Sequence, residues 1–160
     1  MIVVSDTSPL RALQALDLLF VVERLHGVAL VPPGVAAELA VDVPGLGPIR
    51  LTEHPFLQVA SAKDWALVER LKVRLGAGES EALALAVETH ADLVLLDEAD
   101  ARAAAFALGL RTRGVLAMLV GAKRAGIVDL VAPLIDRLEA RIRFRLSREV
   151  RAVVLKSAGE

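Results

Sequence analysis

Asp6, Glu38, Glu81, Asp97 and Glu98 are the side chains whose type and placement could do chemistry in this chain. Asp6 ends the apolar run Ile2-Val3-Val4-Ser5 and precedes Thr7-Ser8-Pro9. A short β-branched run with no polar face reads as a buried parallel strand. Ser8 is then expected to cap a helix with Pro9 in its first position. This puts a carboxylate and two hydroxyls at the carboxyl end of a first strand, the edge where open α/β sheets bind ligands. Asp6 is either a helix cap or a functional acid, and the motif alone leaves both open. Asp97, Glu98 and Asp100 follow a second apolar run, Leu93–Leu96. If the two strands are neighbours, Asp6 and Asp97 converge on one crevice.

The other acids lie on helices. Glu38 stands among Val35, Ala36, Ala37 and Leu39, and Glu81 precedes Ala82-Leu83-Ala84. Glu79 opens the same helix as Glu81 and is read as structural, favoured by the helix dipole by ~0.3–1 kcal/mol. A set of hard oxygen donors in a chain with no cysteine suits Mg²⁺ or Mn²⁺. Crowded carboxylates repel unless protonated or bound to metal. Two such ions about 3.5–4 Å apart can activate water and stabilise a leaving oxygen in phosphodiester cleavage. His26, His54 and His90 have no metal-like spacing and receive no role.

The elements that must position these acids alternate between strand and helix. A helical pattern from Leu10 to Phe20 is expected to end at Gly27, followed by a strand at Val28–Val31. Pro32-Pro33 starts a helix running to about Val41. Residues 42–55, with Pro44, Gly45, Gly47, Pro48 and Pro55, read as irregular. Leu57–Ala60 is an edge-strand candidate. Helices follow at Lys63–Leu75 and Glu79–His90, then the strand Leu93–Leu96, a helix at Ala99–Leu108 and a short strand at Leu110–Arg113. Val115–Ala125, Leu130–Arg141 and Ser147–Lys156 complete the chain as helices. Strands separated by helices imply a three-layer α/β/α sandwich around a mainly parallel sheet.

The chain has 160 residues, 55% of them hydrophobic, and a net charge of −1. This length fits one domain spanning residues 1–160. The mean hydropathy of +0.54 asks for extensive burial of helical surface, in the core or in a homodimer. No apolar stretch approaches the ~20 residues of a spanning helix. With no charged-then-apolar leader and no cysteine, a cytoplasmic location is expected. The near-neutral charge gives no global nucleic-acid signature, yet Arg137–Lys156 holds seven cationic side chains against Glu139 and Glu149. Such a tail could follow phosphates or form a solvated helical face.

Four segments in this order resemble the PIN-domain family of metal-dependent ribonucleases, which includes VapC-type toxins. They are Val3-Val4-Ser5-Asp6-Thr7-Ser8, Val31–Leu39, Gly78–Ala86 and Leu93–Arg102. Gly114–Gly126 further resembles a largely uncharacterised PIN-like subgroup. The resemblance spans nearly the whole chain. It implies a metal-dependent endoribonuclease, the toxin-like component of a toxin–antitoxin pair. Asp6, Glu38 and Glu81 would be the first three acids and either Asp97 or Glu98 the fourth, together holding Mg²⁺ or Mn²⁺. Ser8 would support Asp6 or a metal-bound water. RNA would be the substrate, guided by Arg102 or the basic tail, and a small antitoxin protein a further partner. Glutamate at position 81 departs from the family's aspartate. Two other readings stand beside this one. One is a catalytically silent PIN-like module that binds nucleic acid or protein. The other is a phosphatase or phosphoacceptor domain, against which Thr7-Ser8-Pro9 stands where Asp-x-Asp is wanted.

Overall fold

The structure, a computed structural model, describes residues 1–160. Five short strands make one parallel sheet: β1 (Val3–Ser5), β2 (Ala29–Val31), β3 (Leu57–Val59), β4 (Leu93–Leu95) and β5 (Thr112–Arg113). Their order is β3-β2-β1-β4-β5. β1 is therefore central and pairs with β4 in the register Val3↔Leu93, Val4↔Val94, Ser5↔Leu95. Nine helices surround the sheet: α1 (Thr7–Ala15), α2 (Val21–His26), α3 (Pro33–Ala40), α4 (Trp65–Leu71), α5 (Ala77–Glu88), α6 (Ala99–Ala107), α7 (Val115–Arg124), α8 (Ala132–Ile142) and α9 (Arg148–Ser157).

Alternation along the strands builds two cores. Val3, Leu93 and Leu95 face one side, with Leu10 and Leu13 of α1, Val35 and Leu39 of α3, Met118 and Leu119 of α7, and Ile135 and Leu138 of α8. Val4, Val94 and Leu96 face the other, with Leu67 and Val68 of α4, Leu83 and Leu85 of α5, and Ala101 and Ala105 of α6. A strand buried on both faces needs the continuous apolar run seen in β1 and β4. The expected three-layer α/β/α sandwich is the fold.

Several expectations are corrected. The pattern Leu10–Phe20 and the residues up to Gly27 form two helices rather than one. The break holds Asp17 at φ +57°, and the N–H of Leu18 bonds back to Leu13 O at 2.9 Å. Leu16 and Leu19 stay buried across that turn, so the periodicity continues while the helix does not. The first helix begins at Thr7 with Asp6 at its N-cap, so Ser8 is not the cap. Pro9 lies within the first turn, where its missing N–H costs no hydrogen bond. The helix expected at Lys63–Leu75 contracts to Trp65–Leu71, started by Asp64, whose carboxylate accepts from Leu67 N at 3.0 Å. The irregular 42–55 segment contains a 3-10 turn at Leu51–Glu53.

Candidate active site

The parallel pairing of β1 with β4 brings Asp6 beside the chain leaving β4, and Asp6 N donates to Leu95 O at 3.0 Å. Asp6 is only 2% exposed. Although it stands at the N-cap of α1, its side chain makes no capping hydrogen bond. Burial raises its carboxyl to about 7, opposed by the nearby N–H groups of Thr7 and Ser8 and reinforced by the charges of Glu79 and Glu38. A buried carboxyl pushed into the neutral range, at the carboxyl end of a parallel strand, marks a functional-site candidate.

Glu38 comes from α3. Its carboxylate accepts from the Thr7 hydroxyl, which ties it to the residue after Asp6. The same carboxylate lies over Gly78 at the start of α5, where a Cβ would fall 2.8 Å from its Oε1. The converse contact is made by Glu81: its Oε2 accepts from Gly34 N at 2.7 Å, and a Cβ on Gly34 would fall 2.8 Å from it. Thus α3 and α5 each lack a side chain where the other presents an acid. Glu81 points to the start of α3. Glu79, read from the sequence as structural, does accept from Gly76 N at 3.0 Å, and its charge also bears on Asp6.

Asp97 follows β4 and is tied to α7, its Oδ1 accepting from Val115 N at 2.9 Å. Its Oδ2 is buried without a partner. Burial raises this carboxyl too, while the Val115 N–H and the Arg102 charge lower it. A Cβ on Gly114 would stand 2.5 Å from Asp97 Oδ1 and 2.9 Å from Arg102 Nη2, so a third glycine makes room for an acid. Glu98 is exposed at the N-cap position of α6. Asp97, Glu98, Arg102, Thr7 and Ser8 border one open cavity of about 630 Å³, which Arg143–Ser147 also line.

The structure therefore brings together Asp6, Glu38, Thr7 and Glu79 on one side, and Ser8, Asp97, Glu98 and Arg102 around the adjoining cavity. It leaves Glu81 on the backbone of α3. The donors have the chemistry of a hard divalent-ion site: carboxylate oxygens only, one of them buried and unpartnered. As placed, no three acidic or histidine side chains lie close enough to enclose a single ion. In the sequence the Thr7 hydroxyl is legible at this edge without its tie to Glu38, Glu79 reads as structural, and the roles of the glycines at 34, 78 and 114 were missed. The only signal for the glycines was their position next to acid-bearing segments.

A family model described as a PIN domain matches residues 2–160. The chain belongs to the PIN-domain family, whose members are generally nucleases and typically use divalent metals. No curated protein matches it. No helix is long and apolar enough to cross a membrane.

Proposed function

We propose that this protein is a Mg²⁺- or Mn²⁺-dependent endoribonuclease centred on Asp6. The observation that carries the reading is the burial of Asp6 at the carboxyl end of the central strand, with Asp97 in the chain that leaves the neighbouring strand. Family membership supplies the reaction class. Asp6, Glu38, Glu81 and Asp97 or Glu98 would hold the metal, which when bound supplies a water of lowered pKa and charge stabilisation at the phosphate. Around it, Thr7 positions Glu38, Ser8 stands ready to orient a water, and Arg102 offsets charge beside Asp97. Toxin function with a small antitoxin, a homodimer and a cytoplasmic location belong to this proposal. The dimer draws support from the exposed Trp65, Val73 and Phe106.

The test is cleavage of a labelled single-stranded RNA panel with Mg²⁺ or Mn²⁺, with EDTA, and with Asp6→Asn. Cleavage that needs both the metal and Asp6 is the expected result. Cleavage that survives EDTA and Asp6→Asn alike contradicts it. A second reading, a silent binding module, is favoured by one observation: the acids do not close around an ion as they stand. Glu81 and Asp97 both satisfy helix starts, which is a structural task. A folded protein that binds RNA but cuts none with either metal would select this reading.

A further inference from the structure

Seven cationic side chains crowd into residues 137–156, and the structure divides them by task. Arg137 pairs with Asp17 at 3.5 Å. Arg141 donates to Ala15 O at 2.6 Å and to Gly45 O at 3.3 Å, fastening α8 to the end of α1. Arg151 pairs with Asp136 at 2.8 Å and with Glu139 at 3.8 Å. These three are occupied in holding α8 and α9. The side chains of Arg143 and Arg145 make no hydrogen bond or ion pair, and both line the cavity that Thr7, Ser8, Asp97, Glu98 and Arg102 also line.

Their placement is built, not incidental. After α8 ends, Arg143 takes the left-handed conformation at φ +53° and ψ +37°. From Ile142, the last residue of α8, to Ser147 burial alternates: Ile142, Phe144 and Leu146 pack against the core, while Arg143, Arg145 and Ser147 are exposed. Two-residue alternation thus pins the segment by its apolar side chains and turns its guanidiniums outward. Ser147 then caps α9, its hydroxyl accepting from Val150 N at 3.1 Å, so the segment is held at both ends. On its other side the segment borders a shallow hollow with Glu139, whose carboxylate faces Arg151 instead.

We propose that Arg143 and Arg145, with Arg102 of the same cavity, form a phosphate-binding wall that seats the backbone of a single RNA strand across the Asp97–Glu98 edge of the site. This rests on the ribonuclease reading for the identity of the strand. Planar guanidiniums suit phosphate because they donate two parallel hydrogen bonds and stay charged at every working pH. Carboxylates at the cavity edge would by themselves repel a polyanion, so flanking cations are what allows a strand to approach. The wall leaves the bases unread, and its recognition is of the sugar–phosphate chain.

The test is fluorescence anisotropy of a labelled single-stranded oligoribonucleotide in EDTA, with the full chain, the R143A/R145A variant and the R143K/R145K variant, over a range of salt. Both positions are exposed, so thermal unfolding is expected to be unchanged in each. The alanine pair is expected to weaken binding about tenfold or more at low salt and to reduce the log–log salt slope by about 1.4, two contacts at ~0.7 each for a single strand. The lysine pair should restore the slope and part of the affinity. A methylphosphonate strand of the same sequence should bind all three proteins equally weakly. Unchanged affinity and slope in the alanine pair overturn the wall, as does wild-type protein that leaves the strand free. Cleavage plays no part in this readout. Arginine-dependent binding by a protein that cuts nothing keeps the wall and removes the nuclease, and cleavage with no dependence on these arginines does the reverse.

Discussion

Asp6, the proposed centre of the chemistry, is a liability for the folded chain. Its carboxyl rises from 3.8 to about 7 on folding, so between those values the native state binds more protons than the unfolded one. Stability is then fully present below about pH 4 and falls as pH rises through about 7, by about 4 kcal/mol for this group alone. Denaturant unfolding across that range should show the decline, and Asp6→Asn should flatten it. A divalent cation that binds the ionised carboxylate should restore stability at neutral pH, in the wild type and not in the variant. A second residue-scale expectation concerns Gly78. A Cβ there meets the mobile end of Glu38, 2.8 Å away, so Gly78→Ala displaces a carboxylate and not the backbone. Alanine favours a helix by up to about 1 kcal/mol over glycine. Thermal unfolding should therefore stay level or rise, while metal-dependent cleavage falls tenfold or more. Loss of folding would contradict the assigned contact.

At the scale of elements, three helix starts are satisfied by acids far away in sequence. α3 begins after Pro32 and takes Glu81. α7 begins after Gly114 and takes Asp97. α8 takes Glu160, whose Oε2 accepts from Val131 N at 2.7 Å and whose Oε1 accepts from Ala132 N at 3.2 Å. Neither Pro32 nor Gly114 has a side chain able to cap, so the sheet's crossovers supply the acceptor. For Glu81 this separates structure from chemistry. Glu81→Ala should cost about 1 kcal/mol through the lost cap. Glu81→Gln keeps an acceptor oxygen and should keep most of that stability, yet lose cleavage if the charge is needed. Arg11 of α1 does the corresponding work at the end of α3, donating to Glu38 O at 3.1 Å, Leu39 O at 3.2 Å and Val41 O at 2.7 Å, and to Gly47 O at 2.6 Å. Arg11→Ala leaves these acceptors bare and is expected to destabilise by about 2–3 kcal/mol, read from denaturant midpoints. Because α3 carries Glu38, cleavage should fall further than stability.

For the whole molecule, the pairing of the central β1 with β4 brings the ends of two strands remote in sequence, each followed by an acid, to the same edge of the sheet. The strands themselves were legible because runs such as Ile2–Ser5 and Leu93–Leu96 are apolar on both faces. Asp6 was legible because it ends such a run. The break at Asp17 was not, since Leu16 and Leu19 keep the helical spacing across a turn that only tertiary packing requires. The pairing of Glu38 with Gly78 and of Glu81 with Gly34 was also hidden. It depends on how closely α3 and α5 approach, and no local pattern encodes that distance. The basic tail was visible as charge, but its division into arginines that fasten helices and arginines that face the cavity needed the fold. Apolar side chains still face solvent, among them Phe106 at 85% exposed and Val73 at 81%. Light scattering after size exclusion should give a dimer mass at micromolar concentration, and Phe106→Glu should shift it toward the monomer if that face is the contact.

The measurement that bears most directly on the acidic centre is Mn²⁺ binding at neutral pH, followed by the loss of the free-ion electron paramagnetic resonance signal, in the wild type and in Asp6→Asn. Saturable binding that disappears with the Asp6 carboxylate is the expected result. Equal binding by both proteins, or none by either, would contradict the assignment of this carboxylate as the heart of a metal-dependent nuclease.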